Sequence, residues 1–322
     1  MPTLPAFYHP TKIVSVDDDH LFLTAVSQLF SPDFLVQTFN HPDDCLAFFD
    51  AYVPPLDSIS MTRCCIEHEK YDTINHAIID VDVQNLSQLQ FFHDKNQEVS
   101  VILVDYSMQK MNGIELCRSL KKFPFKKILL TGNADFHVAV HAFNENIIDR
   151  FIRKDSETVA HDIVFHTEKL AQEYFRERTK PFISHLETDG HLPLSDPIFI
   201  TFFEFWCKNH TIKEYFLIDK KGSFQVTNHQ NESFYCIIHT DQSLNAFVEF
   251  YNTCTELYQD KRDIIPFITA IENREKIPFF GPGKESWECT PATWENYFYP
   301  ATIIHGREKY YWTVVDCKRL SE

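Results

Sequence analysis

The stretch KIVSVDDDHLFL, Lys12–Leu23, runs a short apolar segment straight into three consecutive carboxylates, Asp17, Asp18 and Asp19. Like charges this close are costly unless a cation or hydrogen bonds offset them. An acidic triplet at the mouth of a hydrophobic strand is therefore either a solvated turn or half of a cation site. In the second case the other half lies elsewhere in the chain.

From residue 12 to about 178, short apolar runs alternate with amphipathic segments. Strands are read at KIVSV (12–16), FLVQTF (34–39), VSVILV (99–104), KKILLT (126–131) and DRFIR (149–153), with helical segments after each. This alternation predicts an α/β domain, a doubly wound five-stranded parallel sheet covered on both faces. The segment after the fifth strand places Val159, Ile163, His166, Leu170 and Tyr174 at helical spacing behind Ser156, a good N-cap.

Between the second and third strands the chain takes about sixty residues, where an αβ unit needs far fewer. NHPDDCLAFFDAY reads as the second helix. Further on, Ile74, Ile78, Val81, Leu89 and Phe92 fall at roughly helical spacing. An extra helix packed on its own domain is the simpler account of that insertion, about 53–98; a partner-binding helix is the other.

The third strand ends in VILVDYSMQKMNG, where Asp105 leads into a loop closing on Asn112–Gly113. The fourth ends on Thr131 and the fifth near Lys154. In a doubly wound sheet the carboxyl ends of neighbouring strands line one crevice, where ligands bind. Asp17, Asp18, Asp105, Thr131 and Lys154 can therefore converge.

With these residues in this order, residues 10–178 resemble the receiver domain of bacterial two-component response regulators, a flavodoxin-like fold. The resemblance implies that Asp105 is the phosphoacceptor. It implies that Asp17, Asp18, Asp105 and the Ser107 backbone carbonyl hold Mg²⁺, a cation satisfied by oxygen ligands and retained waters. Thr131 and Lys154 would bind the phosphoryl oxygens, and Phe151 stands at the switch aromatic. Asp19 is then left as a helix N-cap, though a register using Asp18 and Asp19 stays open. Three positions depart from the pattern: Gln109 replaces the usual Pro, Gly132 the usual Ala, and Asp155 the Pro that commonly follows the Lys. None is a reacting group, but Asp155 could compete for the Lys154 ammonium.

PFISHLETDGHLPLSDP has no clear periodicity, so residues 179–197 are read as a linker. Beyond it, 198–322 reads as an α+β domain with an antiparallel sheet. EYFLID and SFQVTN flank the turn KKG, and SFYCIIHT follows as a third strand. Helices are expected near Asp241 and Asp263, then a second hairpin in YFYPATIIHGREKYYWTVVDC. The first hairpin resembles the opening of PAS-type sensory domains, over that hairpin alone. FFEFW and YYW are read as core.

Other signals are discounted. FFGPGKES lacks phosphate-loop spacing. Cys64, Cys65 and His68 have no second pair at zinc spacing, and KKFPFKK is a solvated helix end. The chain of 322 residues is 44% hydrophobic and 24% charged, which excludes disorder. Its net charge of −16 weighs against nucleic acid and anionic membranes. Nine cysteines without CxxC pairs, no signal-peptide core and no membrane-length apolar run imply a cytoplasmic protein.

The expected function is that of a response regulator in a phosphorelay. It would accept a phosphoryl group from a sensor histidine kinase or phosphotransfer protein and homodimerise on phosphorylation. It would signal through protein or ligand binding by the C-terminal domain, with no enzymatic activity beyond the receiver's own phosphorylation and dephosphorylation. The alternatives are a DNA-binding transcriptional regulator, or a metal-dependent output enzyme marked by converging C-terminal carboxylates.

Overall fold

The structure is a computed structural model, and it describes residues 3–58, 62–67, 76–81, 89–92, 94–132, 136–186, 193–253, 265–282 and 291–320. The chain divides into two units. One comprises Tyr8–Ser60 and Gln90–Thr179; the other comprises Met1–Phe7, Met61–Leu89 and Lys180–Glu322.

In chain order the first eight strands are β1 (Phe7–Tyr8), β2 (Lys12–Val16), β3 (Leu35–Phe39), β4 (Thr62–Glu67), β5 (His76–Val81), β6 (Val99–Asp105), β7 (Lys126–Thr131) and β8 (Arg150–Arg153). The first five helices are α1 (His20–Ser27), α2 (Pro42–Ala51), α3 (Gly113–Ser119), α4 (Phe136–Asn144) and α5 (Val159–Leu186).

Five of these strands form one parallel sheet in the order β3-β2-β6-β7-β8. Every residue of β6 and β7 is buried, as expected of central strands covered on both sides. On one face Ile13, Val101, Leu103, Ile128, Leu130 and Ile152 pack against Val26 and Phe30, and against Ile163, Leu170 and Ala171 of α5. An aromatic group fills part of the core nearer α2, with Phe49 4.8 Å from Phe125 and 5.2 Å from Phe123. The expected five-stranded α/β sheet is present.

The helical reading of the insertion is corrected. Residues 76–81 form β5, paired antiparallel to β4 with Thr62 opposite Val81 and Glu67 opposite His76. HAIIDV is short and contains two adjacent β-branched residues. A cross-strand partner turns such a run into a strand whatever its three-residue spacing suggests. Leu89–Phe91 form a single 3₁₀ turn; Ile74 and His68 lie outside the described residues. Residues 61–89 group with the C-terminal unit rather than with the parallel sheet that flanks them in sequence.

The C-terminal unit adds β9 (Ile212–Leu217), β10 (Phe224–Asn228), β11 (Ser233–Thr240), β12 (Lys276–Pro278), β13 (Phe298–Pro300), β14 (Thr302–His305) and β15 (Lys309–Asp316). Its helices are α6 (Pro197–Asn209), α7 (Asp241–Thr253) and α8 (Ile265–Glu272). The large sheet runs β1-β9-β10-β11-β15-β14, and β12 pairs with β13. The β9–β10 turn is closed by Asp219, whose Oδ1 accepts from Lys221 N and Ser223 N, both at 2.9 Å. Gly222 there has φ +100°, a region costly for a residue with a Cβ. The expected hairpins at β9–β10 and β14–β15 form, as does the helix opening at Asp241; Asp263 lies outside the described residues.

Of FFEFW, Phe203 is buried and stacks near Phe224 at 4.8 Å, while Phe205 is 66% exposed. Tyr310, Tyr311 and Trp312 are all buried. A second cluster gathers Tyr251, Trp294, Phe280, Phe298 and Ile271 under α7 and α8. Among the described residues, no helix is long and apolar enough to cross a membrane.

Candidate functional site

The carboxyl ends of β2, β6, β7 and β8 deliver the singled-out residues to one edge of the parallel sheet. Asp17 follows β2 directly and is fully buried, Asp105 ends β6 and is 5% exposed, and Asp18 is exposed. One carboxylate oxygen from each of Asp17, Asp18 and Asp105 lies within 4.8 Å of the others, the one such three-ligand cluster among the described residues. Asp19 points elsewhere. It caps α1, accepting from Leu21 N at 2.9 Å and Phe22 N at 3.2 Å. The register with Asp17 and Asp18 facing Asp105 is the one the structure contains.

Lys154, just past β8, reaches back into this cluster. Its ammonium lies 2.5 Å from Asp17 Oδ2 and 2.7 Å from Asp105 Oδ1. The other Asp17 oxygen accepts from Asp19 N at 3.0 Å. Burial pushes the Asp17 carboxyl above its usual range, and the bonds from Lys154 and Asp19 N only partly reverse this. For Lys154, burial works against the charged form, but hydrogen bonds to Asp105 and Asp17 outweigh it and hold the ammonium above the usual lysine range. The Phe22 ring covers the same ammonium, with its centroid 4.5 Å from Nζ.

Thr131 is fully buried at the end of β7, its hydroxyl donating to Gly132 O at 3.1 Å and its carbonyl accepting from Lys154 N at 3.0 Å. Ser107 is exposed, two residues beyond Asp105. Phe151, half-buried on β8, stands edge-on to Phe143 at 6.5 Å. Asp155 does not compete for Lys154; it takes the Arg153 guanidinium at 3.0 and 2.7 Å.

The loop from Asp105 to α3 is tightly closed. Gly113 N donates to Tyr106 O at 3.0 Å, and Asn112 and Glu115 form a capping box on α3. A Cβ on Gly113 would sit 2.2 Å from the Asp105 carbonyl oxygen and 2.9 Å from Leu129 Cδ1, so only glycine lets α3 start this close to β6. Sequence reasoning missed Phe22. It sits four residues past Asp18 in an apolar run, and nothing in that run distinguishes a ring over an ammonium from ordinary core packing.

The donor set is all oxygen, acidic and half enclosed, with a compensating ammonium. It fits a hard divalent cation and is typical of a receiver Mg²⁺ site.

Residues 57–161 match the family model for the response regulator receiver domain, and the parallel sheet in this order with an acidic pocket at its carboxyl edge agrees with that match. The chain thus carries a receiver domain of two-component signalling. The matched span contains Asp105, Thr131 and Lys154; Asp17 and Asp18 precede it and join the site through the fold. In structure the chain is similar to the response regulator LqsR from Legionella pneumophila, with TM-score 0.76 at 24% identity, over 97% of this chain and 89% of that one. The likeness extends across both units and shows the fold. An adenylate cyclase structure from Rhodopirellula baltica matches 54% of this chain and 96% of its own at 22% identity. A receiver domain from Clostridium thermocellum matches 53% and 98% at 19% identity. Their TM-scores of 0.38 and 0.33 are too low to bear on the reading. No curated protein matches the sequence.

Proposed function

We propose that Asp105 accepts a phosphoryl group from the phosphohistidine of a sensor kinase or phosphotransfer protein, and that the C-terminal unit transmits this state by binding a protein or small ligand. The observation that carries the reading is the Lys154 ammonium held between Asp17 and Asp105, with Asp18 completing the acidic cluster.

In this reading Asp17, Asp18, Asp105 and the Ser107 carbonyl hold Mg²⁺. The cation supplies neutralisation of the clustered carboxylates and of charge on the phosphoryl oxygens. An Asp105 carboxylate oxygen attacks phosphorus, and the bond to the kinase imidazole nitrogen breaks. Lys154 then turns from Asp105 to a phosphoryl oxygen. The Thr131 hydroxyl, now spent on Gly132 O, swings to another, and Phe151 follows it inward. Hydrolysis of the acyl phosphate by the same residues returns the site to rest, so no enzymatic activity on other substrates is proposed. Homodimerisation on phosphorylation and a cytoplasmic location belong to the same proposal.

The test is phosphorylation by acetyl phosphate with Mg²⁺, followed by hydroxylamine cleavage, with Asp105→Asn as control. Label in wild type that hydroxylamine releases and the variant lacks supports the reading. Label retained in Asp105→Asn, or none in wild type, overturns it. Light scattering with Mg²⁺ and beryllofluoride then reads association: a shift toward dimer in wild type alone is expected.

A further inference from the structure

We infer that Phe22 is a positioning residue for the phosphoryl site: its ring face holds the Lys154 ammonium in place when the carboxylates are engaged elsewhere. The inference rests on the reading of Asp105 given above.

Lys154 has three N–H donors, and its ammonium faces three groups: Asp17 at 2.5 Å, Asp105 at 2.7 Å and the Phe22 ring at 4.5 Å. The two carboxylates are also two of the three oxygen ligands in the acidic cluster. In a loaded site their oxygens are shared with the cation, and their hold on Lys154 weakens. The ring is the one contact among the three that no cation ligand set claims. Its attraction is that of the aromatic quadrupole for a positive charge, which grows as water is excluded. Lys154 keeps only 24% of its side-chain surface exposed.

The ring is itself fixed. Phe22 lies on α1, whose N-terminus Asp19 caps through Leu21 N and Phe22 N, and it packs against the cluster containing Ile13, Val26 and Val101. The same acidic run that supplies the cation ligands therefore sets the α1 turn that aims Phe22 at Lys154. A Leu at position 22 keeps the packing and removes the quadrupole; a Tyr keeps both.

The experiment uses the full chain and compares wild type, Phe22→Leu and Phe22→Tyr in two titrations. Calorimetry reads Mg²⁺ alone, and ¹⁹F NMR reads beryllofluoride uptake at saturating Mg²⁺. Phe22→Leu is expected to bind Mg²⁺ within about twofold of wild type and to take up beryllofluoride about three- to tenfold more weakly, with Phe22→Tyr restoring it. Equal beryllofluoride affinity in Phe22→Leu overturns the inference. So does an equal loss of both ligands, which marks a merely structural role. Wild type that takes up no beryllofluoride overturns the phosphoacceptor reading instead, and the inference with it.

Discussion

Lys154 meets Asp17 and Phe22 from one part of the chain and Asp105 from another, and its removal tests the electrostatics of the whole pocket. Lys154→Met leaves Asp17 and Asp105 buried against each other without their counter-charge. Breaking such a pair should cost on the order of 2–4 kcal/mol, somewhat below the fully buried case because Lys154 is partly exposed. Mg²⁺ should recover part of that loss, so its stabilisation of the variant, measured by urea midpoints, should exceed its stabilisation of wild type. A variant as stable as wild type without Mg²⁺ would show that the two carboxylates are already screened by water. Gly113 carries a steric prediction. Gly113→Ala forces a Cβ into the Asp105 carbonyl and should destabilise by about 1–3 kcal/mol while displacing Asp105. Urea unfolding together with Mg²⁺ affinity checks both effects.

At the scale of elements, Asp196 shows how one side chain joins three pieces of the C-terminal unit. It caps α6 through Ile198 N at 2.9 Å, accepts from Tyr310 OH at 3.0 Å, and accepts from the Arg307 backbone N–H. Burial alone would raise its carboxyl, but these donors together hold it below the usual aspartate range. Asp196→Ala leaves several donors unsatisfied in a buried site and should cost about 2–3 kcal/mol. Asp196→Asn, which retains an acceptor, should cost less; equal losses would mean that the charge, and not the neutral acceptor, carries the contribution there. The β4–β5 hairpin illustrates the opposite relation of element to sequence. The residues of β5 carry a helix-compatible spacing, and the partner strand eight residues upstream, not the local pattern, makes them β.

For the whole molecule, among the described residues, each unit buries one neutral histidine. Burial pushes His9 down to about 3 in the receiver unit; burial, aided by Lys221, does the same to His239 in the C-terminal unit. The His239 tautomer follows from its partners. The Pro278 carbonyl can only accept, so Nε2 carries the proton and Nδ1 is left unprotonated, 3.0 Å from the Ser243 hydroxyl oxygen. In the unfolded chain both rings take up a proton below about 6.5, while in the fold they stay neutral to about 3. The unfolded state then binds more protons, so stability is lost as pH falls through that window, by up to about 1.4 kcal/mol per pH unit for each histidine. Urea midpoints at pH 7 and pH 5 should show the loss. His239→Gln, which keeps a donor for Pro278 O, should flatten it by one histidine's share. An unchanged slope in the variant would place the acid sensitivity in other groups.

The amino-acid sequence by itself determined the parallel sheet and its ligand-bearing edge. The runs at 12–16, 99–104, 126–131 and 149–153 read as strands, and Asp17, Asp105, Thr131 and Lys154 each follow or end one of them. Strand ends in a doubly wound sheet converge whatever lies between them. The β9–β10 and β14–β15 hairpins were equally legible, because their pairing partners lie a few residues apart. Tertiary structure decided the rest. It set Phe22 over Lys154, turned Asp155 toward Arg153, paired β4 with β5, and grouped residues 1–7 and 61–89 with the C-terminal unit. For Phe22 over Lys154 and for the grouping of residues 1–7 and 61–89 the physical reason is shared. Local pattern encodes which residues prefer burial or extension, but contacts between distant segments depend on which surfaces are left to share once the sheets have formed.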